Sequence, residues 1–86
     1  MAILKNGTRG DEVRTLQDKL KQLGFAVQTD GIFGPKTHAA VITLQTVFGY
    51  DTDGDVGPAT EKLIEQQLEY GWSLEAARKA YVKPSV

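Results

Sequence analysis

The chain has 86 residues, no cysteine, and ten Lys and Arg against eleven Asp and Glu, for a formal net charge of -1. That length holds one small domain, and the missing cysteines exclude a disulfide framework, a thiolate metal site and a thiol nucleophile. Basic residues scattered along a near-neutral chain offer no basic face for nucleic acid, and no apolar run nears the roughly 20 residues of a membrane-spanning helix.

In chain order, the first apolar stretch, Met1 to Leu4, stops at a lysine and is too short for a signal peptide. Val13, Leu16, Leu20 and Leu23 then recur at i, i+3, i+7 and i+10, which predicts a helix from about Gly10 to Leu23 with one buried face. Asp11 and Glu12 fall in its first turn, where negative charge complements the helix dipole, and Gly24 supplies its stop. A second helix, the most apolar, runs from near Pro35 to just before Gly49 and turns Ala40, Val41, Leu44, Val47 and Phe48 inward. A third begins at Pro58, with Leu63, Ile64 and Leu68 inward and Glu61, Glu65 and Glu69 as an acidic stripe facing water.

These elements form an all-α, compact three-helix bundle spanning residues 1–70. Residues 71–86 are expected to be a short C-terminal helix, capped by Ser73 and stopped by Pro84, that packs Trp72 and Tyr81 on the bundle. The competing reading of that segment is a linker toward a further domain.

An internal repeat stands out. Thr29-Asp30-Gly31-Ile32-Phe33-Gly34-Pro35-Lys36-Thr37 recurs 23 residues later as Thr52-Asp53-Gly54-Asp55-Val56-Gly57-Pro58-Ala59-Thr60, with six of nine positions identical. The Asp side chain is suited to bond a backbone amide two residues on, and the following Gly to take a positive φ, so each copy reads as a tight turn. Phe33 and Val56 plug the turns into the core, Gly34 and Gly57 become N-caps, and Pro35 and Pro58 take the first helical position. Thr37 and Thr60, at the third position, are placed to reach back toward the cap. If both turns are structural, valine at Gly31 and at Gly54 should cost about the same.

The order Leu4, Gly7, Gly10, Val13, Leu16-Gln17, Leu20, Leu23-Gly24-Phe25, Asp30-Gly31, Phe33-Gly34, Thr37, Ala40-Val41, Leu44-Gln45, Asp53-Gly54, Val56-Gly57, Thr60 and Leu63 resembles the small peptidoglycan-binding domain of bacterial and phage cell-wall hydrolases. The resemblance implies a three-helix fold and a non-catalytic, monomeric module for peptidoglycan, through its glycan strand or stem peptide. It also implies a linked or associated hydrolase domain and a cell-envelope or extracellular location, with no nucleic-acid or membrane partner. A generic protein-interaction or propeptide-like regulatory domain is the alternative, although the propeptide version needs a cysteine to occupy a zinc.

Peptidoglycan offers N-acetylated sugars and short peptides, which suit aromatic faces, amides and exposed backbone. The candidate ligand-binding residues, grouped near the first turn, are Phe25, Asp30, Gly31, Phe33, Gly34, Thr37, Gln45 and Tyr50. Each has a plainer role. Phe25 and Phe33 fit core plugs better than sugar platforms, and Gln45 fits a buried amide bonding a loop carbonyl. Tyr50, in a loop, is expected to be exposed.

Catalysis finds too few parts. His38 is the sole histidine and is expected at the surface, no zinc-ligand spacing exists, and nothing around Ser73 or Ser85 supports a nucleophile. Asp51, Asp53 and Asp55 alternate as in a calcium loop, but Val56 and Lys62 stand where that loop needs Gly and Glu. No cofactor or metal is therefore assigned.

Overall fold

The computed structural model describes residues 3–74. Three helices form: α1 (Asp11–Gln22), α2 (Pro35–Val47) and α3 (Pro58–Tyr70). The proposed C-terminal helix, with Ala77, Tyr81 and Pro84, lies outside the described residues. The helix starts follow the capping logic of the sequence, with Gly10, Gly34 and Gly57 at the N-caps and proline opening α2 and α3.

Val13, Leu20, Leu23, Phe33, Val41, Leu44, Val56 and Ile64 are each 1% exposed or less and form the centre of the core. Phe33 and Val56 enter it from the two repeated turns, as plugs. The C-terminal side of the core is closed by Trp72, whose ring centroid lies 5.3 Å from that of Phe48, edge-on, and 6.3 Å from that of Phe25. The Leu74 amide also donates to the Leu23 carbonyl at 2.7 Å, so the packed unit continues past α3.

Val47 departs from its expected inward position and is 50% exposed. It occupies the last turn of α2, where the covering group is Trp72, and Trp72 sits on Phe48 instead. Leu68 on α3 is half-buried, and the stripe of glutamates beside it faces outward except that Glu61 is partly covered. Glu65 accepts from Lys19 of α1 at 3.2 Å. An exposed pair of this kind contributes about 0.2–1 kcal/mol, so helix docking rests on the apolar contacts.

The segment before α1 makes a turn of its own over residues 5–8, closed by the Thr8 amide on the Lys5 carbonyl, and ties the two repeated turns together. Leu4 and Val56 exchange backbone hydrogen bonds (3.0 and 2.7 Å) as an isolated antiparallel bridge. Farther along, the Gly7 amide donates to Phe33, the Phe33 amide to Thr8, and the Gly10 amide to Gly31, all at 2.9–3.0 Å. These bonds satisfy buried backbone groups that a helical bundle alone would leave unpaired.

Candidate functional site

Each repeated turn is closed by a glutamine from the preceding helix. In the first, Gln17 of α1, 1% exposed, accepts the Gly31 amide on Oε1 at 2.9 Å. Its Nε2 faces three oxygens: Asp30 Oδ1 (3.1 Å), the Ile32 carbonyl (2.9 Å) and Thr37 Oγ1 (3.0 Å). With two protons for three acceptors, one proton is shared. Asp30 Oδ1 in turn accepts the Ile32 amide at 3.0 Å, completing the turn read from the sequence.

The second turn repeats this geometry around Gln45 of α2. Gln45 Oε1 accepts the Gly54 amide at 3.0 Å, and Nε2 donates toward Asp53 Oδ1, the Asp55 carbonyl and Thr60 Oγ1 at 3.0–3.2 Å. Asp53 Oδ1 accepts the Asp55 amide at 3.0 Å. Gly31 and Gly54 share a φ of 77°, a left-handed value that side chains with a Cβ adopt at a cost.

Several expectations change here. Thr37 and Thr60 are buried and make no cap hydrogen bond, because their hydroxyls are committed to the glutamine amides. Gln45 and Tyr50 belong to the second turn, not the first. Phe25 and Phe33 are 6% and 1% exposed and keep no free ring face for a sugar. His38 is half-buried: its ring lies against Gly54, and its Nδ1 is 3.2 Å from Asn6 Nδ2. Gln17 joins the site although its sequence context marks it only as a neighbour of core Leu16. The available signal was the Leu-Gln pair that stands ahead of each Asp-Gly.

Beside each latch lies a shallow cleft. The first, about 340 Å³, is lined by Gln28, Asp30, Ile32, Pro35 and Lys36, with Gly34, Gln17 and Thr37 beneath. The second, about 250 Å³, is lined by Ile3, Tyr50, Asp51, Asp53, Asp55 and Pro58 above Gln45 and Thr60. Tyr50 is 39% exposed there. Among the described residues no group of three or more His, Cys, Asp or Glu is placed to hold a metal ion.

A family model described as a peptidoglycan binding domain matches residues 9–64, a span that holds both glutamines, both turns and every cleft residue named above except Ile3. The chain belongs to the peptidoglycan-binding domain family. Over 65 residues it is 42% identical to the N-acetylmuramoyl-L-alanine amidase CwlL of Bacillus licheniformis, covering 72% of this chain and 18% of that protein. It is 36% identical over 69 residues to the spore cortex-lytic enzyme of Halalkalibacterium halodurans, covering 79% of this chain and 21% of the enzyme. The crystal structure of the SleB N-terminal domain superposes with a TM-score of 0.72 at 33% identity, covering 76% of this chain and 90% of that one.

The latches of this peptidoglycan-binding domain should make it sensitive to acid. The Asp30 carboxyl is held below its ordinary range first by the Ile32 amide and then by the Gln17 side chain. For Asp53 the Asp55 amide and then Gln45 have the same effect. A depressed folded-state value means the stabilisation is complete above the unfolded carboxylate range, about pH 4, and is lost as pH falls through the folded value. The melting temperature should therefore fall below about pH 4. An Asp30→Asn/Asp53→Asn variant keeps the amide-accepting oxygens and should lose less of its own stability on acidification. Equal acid loss in both proteins would show that other groups cause it.

Proposed function

We propose that this domain is a non-catalytic module that attaches to peptidoglycan through the clefts beside its two latched turns. The observation that carries this reading is the family match over residues 9–64, in a region that makes up only 18% and 21% of two related wall-lytic enzymes. The site residues fit the role. Asp30, Gly34 and Thr37 line the first cleft with Gln17, and Gln45 and Tyr50 the second, while Gly31 holds the first turn and Phe25 and Phe33 lie in the core.

The ligand is the glycan strand, the stem peptide or both, met at the cell envelope or outside the cell. Lysis would belong to an associated hydrolase domain, with this domain acting as a monomer. The lone histidine, His38, has Asn6 as its side-chain hydrogen-bond partner among the described residues, which favours a non-enzymatic role. Among the described residues no helix is long and apolar enough to cross a membrane.

Cosedimentation with purified sacculi, with cellulose and chitin as controls, tests the proposal. Retention on sacculi without release of reducing ends or free amines is the expected result, and release by pure protein would overturn the non-catalytic reading. Tyr50→Ala should weaken retention roughly fivefold, the equivalent of about 1 kcal/mol for one exposed aromatic contact, and leave the melting temperature nearly unchanged. Unaltered retention would remove Tyr50 from the binding surface.

A further inference from the structure

The two clefts share one latch and differ at their rims. Lys36, on the first turn of α2, is exposed, and its ammonium makes no hydrogen bond or ion pair with the described residues, whereas Ala59 occupies the corresponding place on α3. Ile32, 43% exposed, and Pro35 give the first cleft an apolar wall, where the second turn has Asp55 in place of Ile32. Asp30 engages the Ile32 amide and Gln17 through Oδ1, and its exposed side chain lines the cleft with Arg14 close enough to act on its charge. Gln28 adds an exposed amide. The first cleft therefore presents an ammonium, a carboxylate, an amide and aliphatic surface. It has no exposed aromatic ring, since Phe25 and Phe33 are core.

Sugar rings with N-acetyl groups carry no charge and are held well by aromatic faces, which this cleft lacks. Stem peptides carry carboxylates, amide or amino N–H groups and small methyl side chains. We propose that the first cleft binds the stem peptide of peptidoglycan and not its sugars. Lys36 takes a peptide carboxylate, the Asp30 carboxylate accepts a peptide N–H, and Ile32 and Pro35 cover an alanine methyl. Charge complementarity selects this occupant, because each charged group on the rim meets its opposite on the peptide and would meet none on an acylated glycan strand. The inference rests on the reading of the domain as a peptidoglycan-binding module.

The test compares intact sacculi with glycan strands freed of stem peptides by an amidase and immobilised on beads (stripped sacculi), and uses the amidase-released peptides as soluble competitor. Retention should fall at least tenfold on stripped sacculi, and the free peptides should displace the protein from intact ones. Lys36→Gln should weaken binding to intact sacculi about tenfold, as expected for loss of one charge-assisted hydrogen bond. Lys21→Gln, an exposed charge removed from the last turn of α1, should not, which separates a specific contact from general attraction to an anionic wall. An unchanged melting temperature for Lys36→Gln would exclude misfolding as the cause of its loss. Equal retention on stripped sacculi, or full binding by Lys36→Gln, would overturn the stem-peptide assignment and leave the peptidoglycan reading standing. Failure to bind intact sacculi would overturn that reading and the inference together.

Discussion

Gln17→Glu should be the most damaging single substitution in the domain. The amide's Nε2 faces three oxygens at 2.9–3.1 Å, one of them on the Asp30 carboxylate. Replacing that nitrogen with a second carboxylate oxygen removes the donors and places two negative charges together at a site that is 1% exposed. An uncompensated buried charge costs about 3–5 kcal/mol, a large share of the roughly 4–13 kcal/mol expected for a chain of this size. The melting temperature should drop by roughly 15 °C or more.

Burial and the neighbouring Asp30 raise the introduced carboxyl's pKa, so its penalty grows as pH rises and shrinks as pH falls toward 5. Stability of this variant should thus improve on mild acidification, opposite to the parent's loss below about pH 4. Gln17→Met removes the same hydrogen bonds without adding charge. It should cost about 1–3 kcal/mol, mainly from the orphaned Gly31 amide. Thermal melts of the variants at pH 5 and 7 check this, and a Gln17→Glu protein as stable as the parent at pH 7 would show that the latch contributes nothing.

Gly54→Ala is expected to cost more than Gly31→Ala, although both glycines have a φ of 77°. The left-handed backbone contributes about 1–2 kcal/mol at either position. What differs is the neighbour. A Cβ at residue 54 would lie 2.2 Å from Cε1 of the His38 ring, whereas one at residue 31 meets the Gly10 carbonyl at 3.3 Å. The imidazole must therefore swing out of the space that a side chain at 54 would claim, giving up its packing and the Asn6 contact.

The total for Gly54→Ala should reach about 2–4 kcal/mol, combining backbone strain with the cost of overpacking. A double-mutant cycle with His38→Ala separates the two effects: the steric part should be recovered and the backbone part should persist. A cycle with no coupling would mean that the ring moves aside freely. The equal cost expected from the repeat alone does not survive this difference in surroundings.

The helices and turns were legible because they obey local rules. Val13, Leu16 and Leu20 mark a helical face, and Asp-Gly followed by Gly-Pro specifies a turn, an N-cap and a helix start within a few residues. The latches were hidden because they are nonlocal. Gln17 meets Thr37 across 20 positions, and a glutamine beside a core leucine looks the same in sequence whether it is solvated or holds a turn.

Unequal spacing hid the correspondence further, since Gln17 lies 14 residues before its glycine and Gln45 only 9. That is why Gln45 was grouped with the wrong turn. Tyr50, whose amide donates to the Gln45 carbonyl at 2.8 Å, follows Gln45 to the second cleft. Val47 failed for another reason: periodicity marks the face of a helix but not how far along it the neighbouring elements reach.

The segment before α1 should give the domain an order of assembly. Pairing of Gly10 with Gly31 and of Thr8 with Phe33 closes shorter chain loops, whereas the Leu4–Val56 bridge closes a longer one that encloses α1 and α2. Loop-closure entropy rises with the length enclosed, so the short closures can precede the long one. On a ribosome, Leu4 emerges first yet waits for Val56, and its amide stays solvated while the first turn is already formed. Substitutions at the Leu4–Val56 bridge should therefore act mainly by hastening unfolding, and those at the Gly10–Gly31 pairing by slowing folding. A module tethered by its N-terminal side would feel applied force first at the bridge that closes last.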